Sequence, residues 1–279
     1  MSKDPKSLEY VPVSEWPDTE AWTAGFDEHL MPQCYDLAGQ KIKIIFDNGM
    51  RIMHNFQNGT TLTWEIEDSD QPHEGLSSSG TQEYKAFEVR PKVFFVDFYK
   101  PEYEELVSMV LNTSSGQVIC GISGFYDRQG ERRTKTTFLN ARIDGFDDAK
   151  PFPPTDALVG KHILYRYTAR DWYEHIYLNR GTFTWHCLDG TEKGLADTEP
   201  TKVLELGEKL YMLFWSETVM PVESFIVVDL EQMRSTGRFF CWDVKPKQMV
   251  RQVFGSYATI LAESSIDKVL ASMVSHITY

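Results

Sequence analysis

The chain has 279 residues but only four cysteines, Cys34, Cys120, Cys187 and Cys241, and they are scattered. None forms a CxxC pair or stands at metal-ligand spacing from a histidine, so four buried free thiols are expected and no metal site. Positive charge is scarce as well: 28 Lys and Arg against 41 Asp and Glu leave a net charge of −13. Such a surface repels phosphates, which excludes nucleic acid and an anionic membrane surface as partners. No apolar run is long enough to span a bilayer. The opening residues, MSKDPKSLEY, lack the apolar core of a secretory signal, so a soluble cytoplasmic protein is expected. No phosphate loop, GxGxxG, HExxH or GxSxG occurs, and no cofactor is expected.

Aromatic residues, by contrast, are plentiful at 13% of the chain, and short alternating runs recur between turn signals. That combination predicts strands. Residues 1–36 read as a lead-in, with a short helix over 14–25 packing on a barrel end. Residues 41–46 (KIKIIF) alternate, Asp47-Asn48-Gly49 turns, residues 51–56 return, and Asn58-Gly59 turns again into 60–66. Residues 67–83 read as an acidic loop, with Asp68, Asp70 and Glu74 as a solvated charge run. Strand patterns resume at 84–89, 93–99, 106–111 and 117–122. Residues 123–150 are polar, and Pro151-Phe152-Pro153-Pro154 reads as a stiff linker.

The pattern then repeats. Gly39 corresponds to Gly160, an offset of 121 (160 − 39), and the same offset takes Asn58 to Asn179, Thr63 to Thr184, Trp64 to Trp185 and Gly116 to Gly237. Repetition at this length is a domain duplication rather than a solenoid. The second copy continues through strand patterns at 203–206, 210–215, 224–228 and 237–242. Residues 247–262 fit strand or helix, and 266–274 reads as a terminal amphipathic helix. The expected fold is all-β, two tandem antiparallel β-barrels from an internal duplication. The domains are a lead-in over 1–36, a first barrel over 37–150 and a second over 151–279.

The richest chemistry lies between Gly160 and Gly190. Tyr165 and Tyr167 share one strand face, as do Tyr173, His175 and Tyr177, while Phe183 and Trp185 alternate with threonines. An aromatic face bearing hydroxyls suits a lined cavity. Two phenols can donate to an anionic oxygen, or they can be core residues with wet tips. Glu217 follows Trp215 by two and ends the apolar run LYMLFW, so it reads as a carboxyl of raised pKa or as a rim glutamate. His175 reads equally as a core or a binding residue. His162 and His186 face away, against a three-histidine metal site. Asp197 reads as a turn residue. The first copy has Ile44 and Phe46 where the second has Tyr165 and Tyr167, so the first barrel is expected to be packed and the second to bind.

The segments LAGQKIKIIFDNG and EVRPKVFFVDF in the first copy, and LVGKHILYRY, YEHIYLN, FTWHCLDG and EKGLADTEP in the second, resemble the MoaF family over most of residues 35–260. The resemblance implies two lipocalin-like (calycin) barrels. The second copy is also similar to the phenolic acid decarboxylases, in its glycine (Gly160), Tyr-x-Tyr strand (Tyr165, Tyr167), Tyr-Glu strand (Tyr173, Glu174) and Trp-x-Glu (Trp215, Glu217). That similarity implies a tyrosine pair holding a substrate carboxylate and Glu217 moving a proton, and it makes a homodimer a plausible assembly. The family's arginine has no match. It would fall at Gly194-Leu195, and only Lys193 or Arg166 could replace it, if either points inward.

Two functions follow. One is a cofactor-independent lyase, isomerase or cyclase acting by proton transfer on a small conjugated or aromatic carboxylate, phenol or enol in the second barrel. Tyr165, Tyr167 and Glu217 would be catalytic, with Tyr173, His175, Trp185 and Trp215 binding the substrate. The alternative is a non-catalytic calycin-type protein that binds a small molecule with the same lining. A third reading is a structural or interaction protein with two solid barrels.

Overall fold

The computed structural model describes residues 11–68 and 77–265. Sixteen strands form two closed antiparallel barrels of eight, each running up and down in chain order. The first contains β1 (Lys41–Phe46), β2 (Arg51–Phe56), β3 (Thr61–Asp68), β4 (Ser79–Arg90), β5 (Val93–Lys100), β6 (Glu105–Asn112), β7 (Gln117–Arg128) and β8 (Glu131–Ile143). The second contains β9 (Lys161–Arg166), β10 (Trp172–Asn179), β11 (Thr182–Asp189), β12 (Ala196–Gly207), β13 (Leu210–Ser216), β14 (Val222–Asp229), β15 (Arg234–Asp243) and β16 (Gln248–Glu263). Closure pairs β1 with β8 and β16 with β9, which leaves neither sheet an open edge. Among the described residues no helix is long and apolar enough to cross a membrane.

Two kinds of strand are written into the two copies. β1, β10 and β11 alternate between buried and more exposed residues, because one face meets the barrel interior and the other meets solvent. β5, β6, β13 and β14 are nearly continuous apolar runs, buried on both faces. Their outer faces meet in a third core between the barrels, where Phe95 and Phe138 pack against Phe225, and Phe138 against Phe214. A buried polar network crosses the same junction. Arg238, with no exposed surface, donates from Nε to Ser108 Oγ at 2.8 Å and from Nη2 to Ser123 Oγ at 2.6 Å. Ser108 donates in turn to Asp97, and Thr136 of β8 donates to Glu223 of β14.

The duplication holds at the offset of 121 through β3. Gly39 and Gly160 both take the left-handed backbone that glycine tolerates, at φ 78° and 81°. Asn58 and Asn179 each accept backbone N–H bonds in the following turn. From β4 onward the offset becomes 117. Left-handed Lys92 matches Lys209 and left-handed Gly116 matches Met233 (233 − 116), while Asn112 and Asp229 cap equivalent turns. The first copy therefore has four more residues between β3 and β4, which corrects the pairing of Gly116 with Gly237. Gly237 lies inside β15, where a Cβ would come within 2.3 Å of the Phe225 carbonyl oxygen.

Several local expectations change. The lead-in forms a 3-10 turn over Val13–Glu15 and α1 over Thr19–Thr23, split near Pro17, rather than one helix. It does pack on a barrel end, as Trp16, Trp22 and Phe26 enter the core of the second barrel. The acidic stretch is shorter than expected, since β4 begins at Ser79; Asp70 and Glu74 lie outside the described residues. Residues 123–143 are mostly the extended arms of the β7–β8 hairpin, whose tip is exposed while Ser123 and Thr134 are buried. Asp197 lies in β12 opposite Trp185, not in a turn. Residues 247–262 form strand, because β16 must close the sheet onto β9. The terminal helix expected over 266–274 lies outside the described residues. No disulfide forms, and Cys34 is half-buried whereas the other three thiols are buried.

Candidate functional site

The pleat of β9, β10, β11 and β13 turns Tyr165, Tyr173, His175, Tyr177, Trp185 and Trp215 into the second barrel. Register places Tyr173 opposite Tyr165 and His175 opposite Trp185. Tyr167 lies one residue past β9, where its N–H donates to the Asp171 carbonyl and Thr168 and Asp171 tie the turn. Glu217 lies one residue past β13, held by its N–H to the Val222 carbonyl. Both chain ends are thus fixed at the same mouth of the barrel.

Tyr167, Tyr173, His175, Trp185, Trp215 and Glu217 line one small pocket of about 30 Å³, together with Trp22, Phe26, Glu192 and Phe239. Tyr165 does not line it. Its hydroxyl lies deeper, 2.9 Å from that of Tyr177, and its ring packs 4.6 Å from His175. Of the phenol pair, Tyr167 lines the pocket and Tyr165 does not. Sequence reasoning left out Trp22, Phe26, Glu192 and Phe239 of the pocket, and Tyr177 beside it. Tyr177 shares the face already noted, so its spacing could have found it. Glu192 comes from the β11–β12 loop, and Trp22 and Phe26 come from the lead-in, where no local spacing marks them.

The polar atoms at this mouth are unusual in what they lack. His175 Nδ1, Glu192 Oε1, Glu217 Oε2 and the Nε1 atoms of Trp22, Trp185 and Trp215 are buried without a hydrogen-bond partner among the described residues. Buried polar groups in folded proteins are nearly always paired, so this cluster marks a place built for something polar. Burial raises the Glu217 carboxyl well above its ordinary range, and Glu199 and Glu192 nearby push it further. Burial likewise lifts Glu192 to about 7, against the hydroxyl of Tyr173, which donates to its Oε2 at 2.8 Å. Glu199 also rises to about 7 by burial, although Thr218 donates to it twice. Burial drives His175 down to about 3, so its ring is neutral. Among the described residues no three His, Cys, Asp or Glu side chains come together as a metal site.

Neither substitute for the missing arginine points inward. Lys193 pairs with Asp189 on the surface at 2.9 Å, and Arg166 lies outside against the Tyr257 ring. Gly194 occupies a left-handed turn and Leu195 packs in the core. Cations do stand beyond Glu217. Arg128 and Arg133, from the β7–β8 hairpin of the first barrel, line an outer groove of about 310 Å³ that Glu217 also lines. His162 Nδ1 lies 3.0 Å from Glu174 Oε1 on the outer wall, with His186 on the same carboxylate, away from the pocket.

The expectation that the first barrel is packed and the second hollow is reversed in volume. The first encloses about 260 Å³ and the second about 30 Å³. The physical reason is the lead-in: Phe26 stacks on Tyr167 at 4.6 Å with planes 4° apart, and Trp22 abuts Phe239 at 5.0 Å, filling the second mouth.

Two family models match the chain, the MoaF N-terminal domain over residues 14–127 and the MoaF C-terminal domain over residues 152–264. The chain belongs to the MoaF family. It is similar to Protein MoaF of Klebsiella aerogenes, at 34% identity over 168 residues. That alignment covers 56% of this chain and 64% of its relative, a little under two thirds of the relative's length. Among solved structures, a putative beta-lactamase from Burkholderia vietnamiensis matches over 40% of this chain and 100% of its own, at 14% identity and a TM-score of 0.32. A likeness that distant bears on neither fold nor activity. The MoaF match spans both barrels, but no activity comes with the family name.

Proposed function

We propose that this MoaF protein moves a proton on a small conjugated substrate held at the mouth of the second barrel. The observation that carries the reading is the Glu217 carboxyl, raised well above its ordinary range by burial, facing a pocket of aromatic rings with unpaired polar atoms around it. A carboxyl whose pKa is raised by burial is suited to give a proton and take one back. Isomerisation balances with these residues alone. A substrate bound as its enolate or phenolate takes the Glu217 proton at one carbon, becomes the neutral keto or quinone-methide form, and returns a proton to Glu217 from another carbon, while the Tyr167 hydroxyl holds the oxygen that is anionic before the first step and after the second. Tyr165 is a positioning residue in this scheme, acting through Tyr177 and the His175 ring. Trp185, Trp215 and Tyr173 would hold the substrate plane.

Phe26 supports a planar substrate, since it already stacks a ring on Tyr167, and such a substrate would take its place as the lead-in swings aside. At the outer groove Arg133 is already matched by Glu131 at 2.6 Å, which leaves Arg128 as the cation that would meet an anionic group there. No cation lines the inner pocket, which favours isomerisation or cyclisation over decarboxylation. Titration of the full chain with 4-hydroxycinnamate, followed by its ultraviolet band, tests the reading. Glu217→Gln should retain binding and lose turnover, and Phe26→Ala should bind more tightly. Equal turnover by wild type and Glu217→Gln would refute it. Binding without turnover in either would favour the second reading, a calycin-type binding protein, which the missing arginine also supports.

A further inference from the structure

We propose that the first barrel is a separate binding site, for a small neutral molecule with an apolar body and one hydrogen-bond-accepting end. Its cavity of about 260 Å³ has walls that include Phe46, Ile52, Ile66, Val107, Met109 and Ile122. That space has room for roughly nine waters, or a ligand of about ten non-hydrogen atoms. Walls of this kind reward the burial of a hydrocarbon body.

The polar groups of the lining are few. His54 and Trp64 are 3% and 4% exposed, and neither His54 Nδ1 nor Trp64 Nε1 has a partner among the described residues. An indole N–H can only donate, so its complement is a carbonyl, ether or hydroxyl oxygen. Burial holds the His54 ring down to about 4, so it stays neutral and adds no charge near pH 7. The one cation in the lining is already matched. Lys100 Nζ lies 2.7 Å from Glu105 Oε2 and sits over the rings of Tyr103 at 4.2 Å and Trp64 at 5.1 Å. An entering carboxylate would meet Glu105 as well as Lys100, whereas a neutral ligand leaves that pair intact.

The duplication shows how the space arises. At the offset of 121, Ile52 stands where the second barrel has Tyr173, and His54 where it has His175. The branched aliphatic leaves volume that the phenol fills, and Trp16, Trp22 and Phe26 of the lead-in enter the second barrel. The imidazole is common to both interiors, and its Nδ1 lacks a partner among the described residues in both.

Cyclohexanone and cyclohexanecarboxylate share a ring and differ in charge, and calorimetric titration of the full chain with each tests the site. Cyclohexanone should bind at least fivefold more tightly than the carboxylate near neutral pH. Ile52→Trp, which puts an indole into the space, should weaken cyclohexanone at least tenfold, while Glu217→Gln in the other barrel leaves it unchanged. If circular dichroism shows that Ile52→Trp does not fold, Val107→Phe carries the same expectation. No heat from cyclohexanone at about 10 mM, equal or tighter binding of the carboxylate, or full binding by a folded filled variant would each overturn the proposal. Because the filling variants Ile52→Trp and Val107→Phe lie in the first barrel, the outcome is independent of the proton-transfer reading.

Discussion

The two barrels share a strand order and a turn plan, yet they use their interiors in opposite ways. The first is open, lined by aliphatic side chains, and carries one neutral imidazole and one matched ion pair. The second is filled by aromatic rings and by the lead-in, and concentrates buried carboxyls at one mouth. The outer walls diverge too. Arg238 of β15 corresponds at the offset of 117 to Gly121 of β7. The glycine leaves room for Phe225, whose ring a Cβ there would approach within 3.0 Å, and the arginine reaches across to Ser108 and Ser123. Duplication thus supplied two equal frames. Their interiors and junction were differentiated by single residues and by a segment that joined only one of them.

The comparison can be broken most forcefully at the junction. Arg238→Ala leaves Asp97 and Glu223 buried without their cation, and should cost about 3–5 kcal/mol in urea denaturation. Gly121→Ala, at the matching place, should cost less, since it moves only the edge of one ring. A loss at Arg238 no larger than at Gly121 would mean that apolar packing alone joins the barrels.

Glu192 should give the second barrel a stability slope with pH opposite in sign to the one that buried His54 gives the first. The folded pKa of Glu192 is raised from 4.5 to about 7. Between those values the folded chain holds a proton that the unfolded chain has released. The stabilising contribution is therefore complete below pH 4.5 and is lost as pH rises through about 7. Glu192→Gln removes this dependence. Relative to wild type, its stability should rise by about 3 kcal/mol across that window, measured by urea titration at both ends. A flat difference would show that Glu192 is wetter than its position implies.

Filling the interiors gives a smaller contrast. Met109 lines the open cavity and matches Ile226 in the filled barrel (226 − 117). Ile226→Phe should cost about 1–3 kcal/mol through overpacking, while Met109→Phe should cost under about 1 kcal/mol. The smallest test is at the paired glycines. Gly39→Ala meets no atom within 4 Å and should cost the left-handed backbone strain of about 1–2 kcal/mol. Gly160→Ala should cost more, because its Cβ would fall 2.2 Å from the Ser264 carbonyl.

Much of this architecture was legible residue by residue. Alternation in KIKIIF and YEHIYLN, turns at Asn58 and Asn179, and the repeat of Gly39 at Gly160 are local signals, and local signals determined strands, turns and duplication. The strand patterns at 93–99 and 210–215 were legible, but not that both their faces are buried, nor what covers them. Pairing Gly116 with Gly237 failed because four extra residues before β4 shift the register, and a fixed offset cannot see an insertion.

What sequence alone determined about this protein is the all-β double barrel and the face on which Tyr173, His175, Tyr177 and Trp185 lie, because both follow from periodicity along the chain. Tertiary structure alone decided which barrel is hollow, that Tyr165 turns to Tyr177 while Tyr167 joins Glu217, and that Glu192, Trp22 and Phe26 complete the site. Those outcomes depend on which distant segments reach the same volume first, and no spacing within a strand encodes that competition.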